Sequence, residues 1–136
     1  MKIVIAGARV IGTYLAKLLS RNNEDITLID DDEDCLDNIS ANYDVLTLHD
    51  SPGSIKAMQT AGVQRCNLFI AVTGDQHVNL SSCSLAKALG AKRTVAKVED
   101  YEFADTANAE YLHRIGIDSI LYPELLGAKD IINGLK

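Results

Sequence analysis

Six short, almost uninterrupted apolar runs, each followed by a stretch of helical periodicity, constrain this chain more than any other feature. The runs are Lys2–Ala6, Asp25–Asp30, Val45–Leu48, Leu68–Val72, Thr94–Val98 and Ser119–Leu121. They lack the apolar–polar alternation of a strand with one wet face. Continuous runs of this kind belong to strands covered on both sides, as in a parallel sheet. Between them, Ile11–Ser20 places Ile11, Leu15, Leu18 and Leu19 on one helical face. Asp32–Ala41 opens with acids, which suit a helix N-terminus. Ser54–Ala61, Val78–Leu89 and Ala104–Ile115 stop against Gly62, Gly90 and Gly116, and Leu125–Leu135 follows Pro123 and Glu124. Alternation of this type predicts an α/β fold: a doubly wound, parallel, six-stranded sheet with helices on both faces and right-handed crossovers. No linker or composition break divides residues 1–136, so a single domain is expected.

A chain of 136 residues can bury a substantial core. With 47% apolar residues, 5% aromatics and no Trp, that core must be built from Ile, Val, Leu and Ala. The net charge of −6 argues against nucleic acid and anionic membrane surfaces as partners. Cys35, Cys66 and Cys83 form no C-x-x-C pair and read as buried thiols in a reducing compartment. His49, His77 and His113 show no metal-ligand spacing, so no metal is expected. Arg9 and Lys17 interrupt the N-terminal apolar stretch, and no run approaches a membrane span. A soluble, cytoplasmic chain without direct membrane insertion is the expectation.

The first strand runs into "AGARVIG", a near match to the Gly-x-Gly-x-x-Gly turn of a Rossmann-like dinucleotide fold, with Gly7 and Gly12 in place and Arg9 at the middle position. In such a turn the first glycine permits the sharp exit from the strand. The second lets the backbone approach a pyrophosphate, and the third lets the helix lie close to the sheet. Phosphates would then meet the free N–H groups of Ala8, Arg9 and Val10 at the helix start. Arg9 has two readings: its side chain crowds the phosphate seat, or its guanidinium pairs with phosphate oxygens. A tight turn whose glycines serve packing alone is the competing interpretation. Asp30 ends the second strand, 18 residues after Gly12, where an acid can accept from both ribose hydroxyls. It would repel a 2′-phosphate, favouring NAD or an adenosine nucleotide over NADP. Its alternative is the start of the acidic helix cap 30–34.

Together "IVIAGARVIGTYLAKLL", "DITLIDDDEDCL", "LFIAVTGDQHVNLSSCSLAKALGAKRTVAKV" and "IGIDSILYPELLGAKDI" resemble the N-terminal RCK or KTN domain of TrkA-type potassium uptake regulatory proteins. The resemblance covers nearly the whole chain, and the long third stretch carries most of its specificity. It implies a non-enzymatic regulatory subunit or domain that binds NAD(H) or ATP/ADP and controls potassium uptake or channel gating through ligand-dependent conformational change. The implied partners are an integral membrane transporter or channel subunit and further copies of the chain, in a homodimer or ring, peripheral to the inner face of the cell membrane. The implied site comprises Gly7, Ala8, Arg9, Val10, Gly12, Asp30, Asp50, Thr73, Gly74, Asn79 and Lys97. Asp50 matches the acid of a Gly-Asp pair after the third strand, Thr73 and Gly74 the "VTG" end of the fourth, and Asn79 the asparagine opening the next helix. Lys97 stands where an arginine reaches phosphate; it keeps the charge and loses the bidentate fork. Arg9, His49 and Lys97 depart from the pattern on the phosphate side, and after "VTG" the usual acids are altered to Asp75, Gln76 and His77.

The apolar side of the last helix (Leu125, Leu126, Ile131, Ile132 and Leu135) needs cover. Its own sheet is one candidate; the resemblance implies a crossover onto a second copy, and a smaller domain beyond the end of this chain. Two other functions fit the turn: the cofactor domain of an NAD-dependent oxidoreductase, and a ligand-free dimerisation scaffold. The first would need a proton donor and a substrate site, for which no Ser/His/Asp or Tyr-x-x-x-Lys constellation is present.

Overall fold

The computed structural model describes residues 1–123. Six parallel strands, β1 (Lys2–Ala6), β2 (Asp25–Asp30), β3 (Leu46–His49), β4 (Leu68–Ala71), β5 (Arg93–Lys97) and β6 (Ser119–Leu121), form one sheet in the order β3-β2-β1-β4-β5-β6. The order reverses between β1 and β4, so a crevice opens at their carboxyl ends. Helices α1 (Val10–Ser20), α2 (Glu33–Asn42), α3 (Ile55–Ala61) and α4 (Gln76–Leu89) follow the first four strands.

Both faces of the sheet are packed, which explains the unbroken apolar runs. Ile3, Ile5, Ile26, Leu28, Leu68 and Ile70 point to one side and meet Leu15, Ala16 and Leu19 of α1 and Leu36 and Ile39 of α2. Val4, Ala6, Ile29, Phe69 and Ala71 point to the other, against Met58 of α3 and Cys83 and Ala86 of α4. Leu18, placed by periodicity on the core face, is only half-buried; Ala16 takes that place. Burial pushes the Cys66 thiol up to about 11 and the Cys83 thiol further still.

Strand β4 ends one residue before the expected bound, and β3 and β5 are each shifted by one residue at both ends, β3 forward and β5 back. The larger difference is the region expected as one helix, Ala104–Ile115. Its first residue, Ala104, ends α5 (Tyr101–Ala104), and the rest holds a 3-10 turn (Thr106–Asn108) and α6 (Ala109–Arg114). Asp105 is the cause: its backbone is extended, and its carboxylate accepts from the Ala107 N–H at 3.0 Å. A short acidic side chain competes with the helix for backbone donors and starts a new cap. The helix expected at Leu125–Leu135, with its crossover role, lies outside the described residues. Among the described residues no helix is long and apolar enough to cross a membrane.

Candidate nucleotide cleft at the switch point

The turn from β1 into α1 is built by two glycines with different tasks. Gly7 has φ +112°, and a Cβ there would lie 2.9 Å from the Thr73 backbone nitrogen, so the turn presses directly on the end of β4. At Gly12 a Cβ would overlap the Gly7 carbonyl oxygen, so the first turn of α1 closes onto the chain only without a side chain. Arg9, between them, is the N-cap residue with φ −72° and ψ −166°, ordinary extended backbone open to any residue.

The helix start that results has no side-chain cap. The starts of α2, α3 and α4 are each capped, by Asp32, Ser54 and Asp75. The first backbone bond into α1 is from Thr13 N–H to the Arg9 carbonyl. The N–H groups before it at the head of α1 are therefore left without intrahelical partners, at the positive end of the helix dipole.

Asp30 secures this turn from below. The residue is 5% exposed; Oδ2 accepts from the Ala8 N–H at 2.6 Å and Oδ1 from the Asp32 N–H at 2.8 Å. One side chain thus fixes the glycine turn and the entry to α2. The Ala8 N–H, assigned above to phosphate, is committed to Asp30.

Above the turn lies an open cleft of about 570 Å³. Arg9 forms one wall, Asp30 and Asp31 stand at the end of β2, and Ser51–Ser54 line the side after β3. Thr73, Gly74 and Asp75, with Val78 and Ser81 of α4, close the opposite side. Arg9 is the cation of this lining; among the described residues it enters no ion pair. Asp32 carries a carboxyl held below its ordinary range by the Cys35 N–H and thiol, with a smaller contribution from the Arg9 charge.

The cleft brings together Arg9, Asp30, Thr73 and Gly74 of the residues expected from the sequence. Gly7, Ala8 and Gly12 shape the turn beneath it. Val10 is 85% exposed and lines a separate shallow groove with Tyr14 and Lys17. Asp50 is exposed and accepts from the Ser51 N–H at 2.7 Å, outside the cleft lining. Asn79 is buried, and its amide is fully committed to the chain. The oxygen accepts from Thr73 N–H at 2.9 Å and Thr73 Oγ1 at 2.6 Å, and the nitrogen donates to the carbonyls of Thr73 at 3.1 Å and Lys97 at 3.0 Å. Lys97 reaches Glu99 at 3.8 Å. The residues that sequence reasoning missed are Asp31, Ser51–Ser54, Asp75, Val78 and Ser81. Only the turn-forming "SPGS" and the acid two residues after Thr73 gave any signal.

Residues 3–123 match the family model of the TrkA-N domain. A Trk system potassium uptake protein TrkA homolog of Archaeoglobus fulgidus is 36% identical over 130 residues, covering 96% of this chain and 29% of that protein. One from Methanothermobacter thermautotrophicus is 30% identical over 128 residues, covering 94% of this chain and 57% of that one. The chain thus spans less than two thirds of either relative. Among solved structures, the TrkA-N domain of the inner membrane protein ybaL from Escherichia coli superposes with TM-score 0.77 at 14% identity, covering 99% of this chain and 96% of that one. The GsuK channel bound to NAD gives 0.70 at 18%, covering 88% and 21%. GsuK bound to ADP gives 0.69 at 18%, covering 88% and 30%. At these identities the solved structures establish the shared fold.

Proposed function

The chain belongs to the TrkA-N domain family, and from that premise we propose that it is the nucleotide-sensing part of a regulator of potassium uptake or potassium-channel gating. The observation that carries the ligand side of this reading is the cleft over an uncapped helix start, with Arg9 on one wall and buried Asp30 at its base. Unpaired N–H groups, the helix dipole and a guanidinium favour an anionic tail. The Asp30 carboxylate, which retains lone pairs beyond its two backbone bonds, would accept from a ribose hydroxyl. NAD(H) and ATP or ADP are the candidate ligands, in keeping with NAD and ADP on GsuK.

Regulation follows if the ligand binds one arrangement of the assembly better than another; without differential affinity nothing shifts. The cleft draws its walls from both halves of the sheet, so a bound nucleotide would tie the segments after β1, β2 and β3 to the start of α4. The partners in this reading are a membrane potassium transporter or channel subunit and further copies of the chain, at the cytoplasmic face. We test it by calorimetric titration with NAD, NADH, AMP, ADP and ATP, paired with thermal melts. At least one nucleotide should bind and raise Tm with concentration, as mass action requires. Five flat titrations would end the sensor reading.

A further inference from the structure

The expected ligands differ in one respect that the cleft can discriminate: a dinucleotide has a second nucleoside beyond its pyrophosphate, and a mononucleotide has none. A dinucleotide in this fold lies across the crevice, with one half over the β2–β3 side and the other beyond β4, over β5. The lining of this cleft runs from β2 and the segment after β3 to β4 and α4; among the described residues it includes none of β5 or β6.

Two side chains sew that second side together. Gln76, at the start of α4, accepts from the Glu99 and Asp100 N–H groups at 3.0 Å each and donates to the Asp100 carboxylate at 2.7 Å. Asn79, one turn later, joins the end of β4 at Thr73 to the end of β5 at the Lys97 carbonyl. The segment after β5 is thereby drawn onto the head of α4, where a second nucleoside would need room. Arg9 completes the pattern. It stands where a glycine would let a pyrophosphate press against the backbone, and its unpaired guanidinium offers a fork to terminal phosphate oxygens instead.

Resting on the nucleotide-sensor reading above, we infer that the cleft selects a nucleoside 5′-diphosphate or triphosphate over a dinucleotide, with Arg9 as the specificity-determining residue and the Gln76 bridge closing the second half-site. Arg9 contacts the tail; Gln76 acts by holding the segment 99–100 in place.

The test is calorimetric titration of the chain and its Arg9→Gly, Arg9→Lys and Gln76→Ala variants with ADP, ATP and NADH. The unaltered chain should bind ADP and ATP at least about tenfold more tightly than NADH, the scale of one charge-assisted contact. Arg9→Gly should weaken ADP by about tenfold and lower the ADP-to-NADH ratio by a similar factor, with Arg9→Lys between. Gln76→Ala should improve NADH and leave ADP unchanged. NADH binding as tightly as ADP in the unaltered chain, or a ratio untouched by Arg9→Gly, overturns the selection while leaving a nucleotide sensor in place. No binding of any of the three removes the selection, and flat titrations with AMP and NAD as well remove the sensor reading too.

Discussion

On the reading proposed above, Asp30 serves ligand binding as well as folding stability, so its replacement should lower both. In Asp30→Ala the Ala8 N–H, in a residue only 1% exposed, loses an acceptor at 2.6 Å that nothing replaces. A buried backbone donor left unpaired costs about 1–3 kcal/mol. The Asp32 N–H, also released, belongs to an exposed residue and turns to water, adding roughly 0.5–1 kcal/mol. The sum is about 1.5–4 kcal/mol, which for a chain of this length lowers Tm by roughly 5–15 °C. Asp30→Asn keeps one acceptor oxygen and exchanges the other for a donor, so it should recover about half of the loss. Thermal and urea melts of the two variants measure this directly. Nucleotide titration of the same samples, below the lower Tm, should show weaker binding in both, because the ribose acceptor is lost and the turn is loosened together. An Asp30→Ala melt within about 1 °C of the unaltered chain would refute the latch, because the Ala8 N–H would then have been satisfied some other way.

Three other perturbations test the frame around the cleft. Gly12→Ala forces a methyl group into the Gly7 carbonyl and must push α1 off the sheet; a loss of about 1–3 kcal/mol or more in urea melts is expected, together with loss of nucleotide binding. Asn79→Ala strands the Thr73 N–H and two carbonyls at a site 1% exposed, and should cost about 2–4 kcal/mol by the same assay. Asp118 gives the fold an acid-sensitive contribution. Burial pushes its carboxyl up, but the Lys87 ammonium at 2.8 Å and the Thr94 N–H at 2.9 Å outweigh this and hold it below the ordinary 3.8. A depressed carboxyl stabilises the fold in full above its unfolded value and loses that contribution as pH falls through the folded one. Asp118→Asn should therefore destabilise by about 1–3 kcal/mol at pH 7, with the difference from the unaltered chain closing below pH 3.8.

The strands were legible because burial on both faces leaves an unbroken apolar run, and β1, β2 and β6 fall at the expected residues. The region 104–115 was misread because its apolar spacing is helical, whereas Asp105 decides locally and spacing is blind to a side chain that takes a backbone donor. The cleft was legible where it coincides with strand ends: Arg9, Asp30, Thr73 and Gly74. Distance along the chain says which end of the sheet a residue reaches and nothing about where its side chain points. Asn79 lies near the cleft in sequence but is spent on main-chain groups, and Lys97 turns toward Glu99. Ser51–Ser54 carry a turn signal with no chemical label, so only the folded chain brings them to the cleft wall.

The glycine turn also shows why a motif can lose one glycine and keep its fold. Gly7 is fixed by φ +112° and by the nearness of β4; Gly12 is fixed by the carbonyl its side chain would strike. Either replacement is opposed by backbone, which cannot move without shifting the sheet. Position 9 answers to neither constraint, since φ −72° suits any residue and its side chain faces open space above the turn. A glycine there serves the ligand alone, by letting a pyrophosphate approach. Replacing it leaves the architecture intact and alters only the chemistry the cleft presents, so on the proposed reading position 9 retunes the ligand preference on an unchanged scaffold.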